Sequence, residues 1–339
     1  MDIDTIFKNF TTQKVLIVGD VMIDRYWFGK VTRISPEAPV PIVAFQQAED
    51  RLGGAANVAL NVKALGATPY LFSILGKDTE GGDFEKIMDT HQLSTKGLVF
   101  SKERKTTVKT RIIAGTQQML RVDNEITHDI SATDCHFFVK KIKAFMAKTP
   151  IDVIILQDYN KGVLSALCIE MVMNEAKKRS IPTVIDPKKK NFLAYKGATL
   201  FKPNLKEIRD AVPFEVKPTV ESLQEAADYL RTHIGQQQTM ITLSEKGLYL
   251  EHNTVTPERD DDNSVKGGKI YPTQARNIAD VSGAGDTVIS IAALSLAVAL
   301  SKNEVALLSN LAGGQVCETA GVVPVNLDQL KTETQQFIK

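Results

Sequence analysis

Residues 152–156 read DVIIL, residues 166–179 read ALCIEMVMNEAKKR, and Thr183–Asp186 reads TVID. Two short, β-branched apolar runs joined by a segment with helical spacing read as strand, helix, strand. Apolar runs this continuous belong to strands buried on both faces, so the unit points to a parallel sheet covered by helices. The rhythm continues outward in both directions. Lys14–Gly19 (KVLIVG) reads as a first strand, residues 54–65 as a helix stopped by Gly66, and residues 68–74 and 240–243 as further strands. Residues 285–300 and 302–319 read as two packed helices. Together these segments predict one α/β domain over residues 1–339.

Composition narrows the class. Lys plus Arg (41) nearly balances Asp plus Glu (40), so no global field favours nucleic acid or an anionic membrane. An anionic ligand must then be held by a local cluster. The three cysteines, Cys135, Cys168 and Cys317, form no CxxC pair, which argues against a zinc site or a disulfide framework and suits a reducing cytoplasm. The N-terminus lacks the order of a signal peptide. The most apolar stretch, residues 288–300, is too short to span a bilayer. A cytoplasmic protein with small-molecule partners is expected, with no nucleic-acid or membrane partner.

Two regions break the α/β rhythm. Residues 26–50 hold Pro36, Pro39 and Pro41 among short β-prone pieces, and residues 105–122 alternate like two antiparallel strands turning at Ala114-Gly115. They are expected to form a small sheet, inserted at about 26–50 and 100–122, that closes over a site as a lid. Ordinary sheet extensions are the alternative. Residues 257–268 (PERDDDNSVKGG) read as a mobile loop.

Several motifs can carry chemistry. In DVSGAGD (280–286) small residues let backbone amides approach an anion, and the following helix turns its positive end toward it. Asp286 beside such a turn can deprotonate a hydroxyl, although a glycine-rich turn capped by Asp286 is the alternative. Gly53-Gly54-Ala55-Ala56-Asn57 permits close approach at a helix start, with Asn57 both donor and acceptor; a plain helix entry competes. Asp20 and Asp24 follow the first strand, where open α/β sheets bind ligands, and paired acids suit vicinal hydroxyls. Asn204 and Glu207 lie three apart, placed either to hold a hydrated Mg²⁺ or to form a capping box. Asp158, Lys161 and Lys188 also sit after predicted strands. No GxxxxGK[ST], GxGxxG after the first strand, HExxH or GxSxG is present, and the five histidines lack ligand spacing.

Taken in order, residues 19–24, 53–57, 204–207, 242–247 and 280–286 resemble the ribokinase (PfkB-type) family of carbohydrate kinases, over roughly residues 14–325. GGAANVA (53–59) and DVSGAGDT (280–287) are the specific signatures. The resemblance implies a ribokinase-like parallel-sheet core flanked by helices, a β lid that often forms a dimer contact, and ATP with Mg²⁺. Stretches such as GDVMIDRYW (19–27), TRISPEAPVP (32–41), DYNKG (158–162) and KPNL (202–205) are similar to the branch acting on a heptose 7-phosphate. That implies phosphorylation at O1, toward lipopolysaccharide core. Many members carry a C-terminal nucleotidyltransferase domain; with the chain ending at Lys339 just after the kinase pattern, a kinase alone is expected.

Position by position, the resemblance implies Asp286 as base and the amides of Gly283, Ala284 and Gly285 as anion hole. It implies Asp20, Asp24, Gly53, Gly54 and Asn57 at the sugar, and Asn204 and Glu207 at Mg²⁺ and phosphates. Thr242, Ser244 and Gly247 would line the nucleotide site, with Ser244 standing where the family often has Gly. Asp280 and Ser282 occupy positions that serve a monovalent cation in some members, making K⁺ a candidate. Arg111, Lys188, Lys161, Arg33, Lys109 and Arg121 are candidates for the sugar's own phosphate, and Asp158 is a further candidate at the sugar. Another sugar kinase, or a non-catalytic sugar or nucleotide sensor, are the competing readings.

Overall fold

The computed structural model describes residues 2–252 and 267–337. Its strands are β1 (Lys14–Gly19), β2 (Val21–Ile34), β3 (Pro41–Gly54), β4 (Thr68–Gly76), β5 (Leu98–Ser101), β6 (Thr107–Ala114), β7 (Gln117–Asn124), β8 (Val153–Gln157), β9 (Thr183–Asp186), β10 (Leu200–Phe201), β11 (Gln238–Thr242), β12 (Leu248–His252) and β13 (Gly267–Tyr271). Its α-helices are α1 (Ile3–Phe10), α2 (Ala55–Ala64), α3 (Thr79–Thr90), α4 (Ala132–Met146), α5 (Ala166–Lys178), α6 (Leu205–Ala211), α7 (Val220–Ile234), α8 (Ala284–Ala297), α9 (Lys302–Val316) and α10 (Leu327–Phe337).

The main sheet runs β13-β12-β11-β10-β9-β8-β1-β4-β5, parallel from β11 through β5. Alternation along each strand divides the core in two. Val15, Ile17, Val153 and Ile155 face one layer with α2, α8 and α9, while Leu16, Val18, Ile154 and Leu156 face the other with α4, α5 and α7. Each such side chain stabilises the fold by about 1.5–3 kcal/mol when fully buried. Strand order turns back at β1, with β4 on one side and β8 on the other, and the carboxyl ends around such a switch point form a crevice.

One edge departs from the parallel expectation. β12 and β13 pair antiparallel with β11, because only Leu243–Gly247 separates β11 from β12, too short a link for a crossover. Gly267 and Gly268 open β13; residues 257–266 of the expected loop lie outside the described residues.

The segments expected to form a lid build a second, four-stranded sheet, order β3-β2-β6-β7, called the lid sheet below. It is longer than the sequence suggested: β2 begins at Val21, directly after β1, and β3 runs into Gly54 at the start of α2. Phe100 and Ser101, expected in the lid, instead end β5 of the main sheet. The lid's strands therefore rise straight from the crevice, and their bases contribute to it.

Candidate active site

Helix α8 starts at Ala284 with Gly283 as its N-cap and no side chain capping the first turn. Gly283 has φ 85°, and a Cβ there would come within 3.0 Å of the Asn57 amide nitrogen. The turn thus needs glycine both for its backbone and for its neighbour. Asp286, in the first turn of α8, is buried and ringed by donors. Asn57 Nδ2 donates to Oδ2 at 2.9 Å, and Tyr159 hydroxyl and Gln157 Nε2 donate to Oδ1 at 2.7 and 3.1 Å. Burial raises the Asp286 carboxyl, the Asn57 and Tyr159 hydrogen bonds lower it, nearby Asp186 raises it and Lys202 lowers it, leaving it at about 6. A carboxylate poised there is suited to accept a proton near neutral pH.

Behind the turn lies a second charged layer. Gln157 also donates to Asp186 Oδ2 at 3.0 Å, and buried Lys202 pairs with the same oxygen at 3.1 Å. Lys188 bridges Asp186 at 3.4 Å and Glu207. Burial works against the Asp186 charge, but Lys188 and Lys202 hold its carboxyl below the usual range. Lys188 likewise stays protonated, because Asp186 and Glu207 outweigh its burial. Gly285 lies open to this layer: a Cβ there would stand 3.9 Å from both Asp186 Oδ2 and Lys202 Nζ.

A cavity of about 840 Å³ adjoins the turn, lined among others by Tyr159, Lys188, Lys202, Asn204, Thr242 and Ser244. Gly247, Ala284 and Gly285 also reach it. Its size suits a nucleotide. Thr242 bridges to Asn204 across neighbouring strand ends, and Ser244 adopts φ 56°, a left-handed conformation uncommon outside glycine.

At the lid's base, Asp24 is buried and pairs with Arg111. Gly53 allows this, since a Cβ there would meet Asp24 Oδ2 at 2.2 Å. Gly54 sits beside the Asp20 carbonyl as N-cap of α2. Arg111 and Arg51 both lie over the Tyr26 ring.

Several expected roles fall differently. Asp20 is turned to the loop after β8: its carboxylate accepts the backbone amides of Tyr159 (2.8 Å), Lys161 (3.0 Å) and Val163 (3.0 Å). Its three protein donors leave little capacity for a hydroxyl. Asp158 is buried against the Tyr195 hydroxyl at 2.7 Å and the Asn160 amide, away from the cavity; burial and Asp20 push it up to about 7. Asn204 and Glu207 form the capping box of α6, and Glu207 meets the site through Lys188. Lys161 pairs with Glu125 at 2.7 Å, and Arg121 with Asp123 on an exposed strand. Arg33 is exposed near the far end of β2, while Lys109 is half-buried near Lys161. Asp280 accepts the amides of Ser282 (2.9 Å) and Gly321 (3.0 Å). Among the described residues no cluster of three or more His, Cys, Asp or Glu is arranged to hold a metal ion.

The sequence reading missed Gln157, Tyr159, Asp186 and Lys202. The available signal was positional, since each ends a strand of the parallel sheet or stands within two residues of its end.

The family model for pfkB family carbohydrate kinases matches residues 12–329. The chain belongs to this family. A D-beta-D-heptose 7-phosphate kinase from Bordetella bronchiseptica is 40% identical over 95% of this chain and 96% of its own length. The bifunctional protein HldE of Syntrophotalea carbinolica is 36% identical over 97% of the chain, which spans only 64% of that relative. Among solved structures, the phosphofructokinase-2 of Escherichia coli in complex with potassium superimposes with a TM-score of 0.77 at 14% identity, covering 97% of this chain and all of that one. Arabidopsis thaliana ribokinase with ribose and ATP gives 0.70 at 16%, covering 94% and 99%. These two share the fold. Among the described residues no helix is long and apolar enough to cross a membrane.

Proposed function

We propose that the chain transfers the γ-phosphoryl group of ATP to O1 of a D-glycero-D-manno-heptose 7-phosphate, giving the 1,7-bisphosphate used in lipopolysaccharide core synthesis. The observation that carries the kinase chemistry is Asp286, buried and triply hydrogen-bonded in the first turn of α8 beside the cavity of about 840 Å³. The choice of sugar is supported by the heptose 7-phosphate kinase relative, matched along nearly its whole length.

In this reading ATP lies in the cavity between Thr242, Ser244 and Gly247 and the α8 turn. The amides of Gly283, Ala284 and Gly285 face the transferring phosphoryl group, where fixed dipoles stabilise developing charge without reorganising. Lys202 and Lys188 add positive charge at the phosphate end. Asp286 takes the proton of the sugar hydroxyl; Asn57, Gly53, Gly54 and Asp24 line the sugar side. Asp24 replaces Asp20 as the leading acid there, because Asp20 is bound to the loop after β8. Asp20 and Asp158 then hold that loop in place, and Arg111, Lys161 and Lys109 remain the basic groups at the lid base for the 7-phosphate.

The donor set fits a divalent cation that arrives on the ATP phosphates and keeps much of its water, as Mg²⁺ does. Asp186, Asn204 and Glu207 are the groups that would hold it, and it would neutralise phosphate charge. Asp280 and Ser282 are the proposed neighbours of a monovalent cation such as K⁺. The lid's outer face exposes Trp27, Val31, Phe45, Leu120 and Val122, supporting a homodimer built through the lid.

The test is to incubate the protein with MgATP and a panel of sugars and sugar phosphates, and to read product and anomer by NMR. Phosphate at O1 of the heptose 7-phosphate, with the dephospho-heptose a poor acceptor, is expected. Equal use of both would favour a kinase for unphosphorylated sugars, and ATP binding with no transfer a sensor.

A further inference from the structure

Tyr159 makes the shortest of the three hydrogen bonds to Asp286, at 2.7 Å. It follows β8 on the loop that Asp20 pins, and its own backbone amide is one of the three donors to Asp20. Lys188 lies over its ring, 5.5 Å from the centroid, and also bridges Asp186 and Glu207. One side chain thus touches the reacting carboxylate with its hydroxyl and the phosphate-side cation with its ring.

We infer that Tyr159 is a positioning residue for phosphoryl transfer, holding the Asp286 carboxylate in the orientation from which it takes the sugar's proton; this rests on the reading of Asp286 as base. During transfer the sugar O–H bond breaks as the new O–P bond forms, and the proton passes to Asp286. The bond between the γ-phosphorus and its bridging oxygen breaks, and ADP leaves with that electron pair. Tyr159 keeps its own proton throughout. Burial and the Asp286 charge push the phenol well above its usual range, so it stays a donor. A donor to the ionised carboxylate favours that form. The other charged groups around the carboxylate are Asp186 and Lys202, with Lys188 one step behind them. Neutral Asn57 and Gln157 complete the shell.

The experiment compares wild type, Tyr159→Phe and a protein carrying 3-fluorotyrosine at position 159. Steady-state kinetics are measured with MgATP and the heptose 7-phosphate from pH 5 to pH 9. Y159F should lose about ten- to a hundredfold in kcat, as expected for one hydrogen bond to a charged group. Its KM for ATP should stay within about twofold. Its acid limb should move up by about one pH unit. Fluorotyrosine, a stronger donor of nearly the same shape, should move that limb down, and it decides the matter if Y159F does not fold. A limb unmoved in both variants would overturn the inference, even with reduced kcat, because a purely structural role would leave the limb in place. Asp286→Asn is scored separately: full turnover there would remove the base itself rather than the role of Tyr159.

Discussion

Asn57 and Asp286, separated by 229 residues, meet in a buried hydrogen bond from Nδ2 to Oδ2 of 2.9 Å. One stands in the first helix after the lid hairpin and the other in the first turn of α8, and these helices pack together on one face of the sheet. The carboxylate is held where α2 meets the first turn of α8.

The pH dependence follows from that setting. Burial first, offset in part by Asn57 and Tyr159, leaves the Asp286 carboxyl at about 6. The base works ionised, so kcat/KM should hold above about pH 6 and fall about tenfold per unit below it. A profile with its acid limb near pH 4 would show that a different group limits the reaction.

Removing the base should separate chemistry from binding. Asp286→Asn keeps size and burial but cannot accept a proton, so turnover should fall by about 10²–10⁴. Calorimetry should show ATP binding little changed.

Asp20 should act through the loop rather than through the sugar. In Asp20→Asn an NH₂ group would face backbone amides that now donate to a carboxylate. A buried donor left unsatisfied costs about 1–3 kcal/mol, to be read from denaturant unfolding. The kinetic loss should fall mainly on kcat as Tyr159 loosens; a large rise in sugar KM with unchanged stability would restore Asp20 to the sugar side.

Ser244 carries local strain. Its φ of 56° suits glycine, and a left-handed conformation costs other residues about 1–2 kcal/mol. Ser244→Gly should raise the urea midpoint modestly, since part of the gain is offset by a freer unfolded chain. A lower midpoint would mean that the Ser244 hydroxyl makes a stronger contact than its backbone strain costs.

The lid face should govern assembly. Trp27 and Phe45 meet edge to face at 6.2 Å on the exposed side. Trp27→Asp should shift sedimentation from dimer to monomer. An unchanged dimer would place the interface elsewhere.

Much of this was legible in the chain. Strands such as Lys14–Gly19 and Thr183–Asp186 lie where their apolar runs placed them, because burial on both faces leaves a continuous signature. The lid turn at Ala114-Gly115 was equally readable, since β6 ends at Ala114 and β7 begins at Gln117. The antiparallel edge was less so, because β12 and β13 take their pairing from a short link and a neighbour rather than from their own pattern. Spacing could place Asn204 and Glu207 on one helical turn but could not say that they cap each other.

By itself the sequence determined the α/β class, the β character of the inserted segments and the glycine turn bearing Asp286, all set by local periodicity and backbone freedom. Only the tertiary structure decided which partner each acid meets. Asp20 and Asp24 stand four residues apart, yet one is turned to three backbone amides and the other to Arg111. The same holds for Gln157, Tyr159 and Lys202, whose roles depend on a carboxylate far away in sequence. Hydrogen bonds and ion pairs act over a few ångströms of space, and nothing in local sequence records which distant group will lie within that reach.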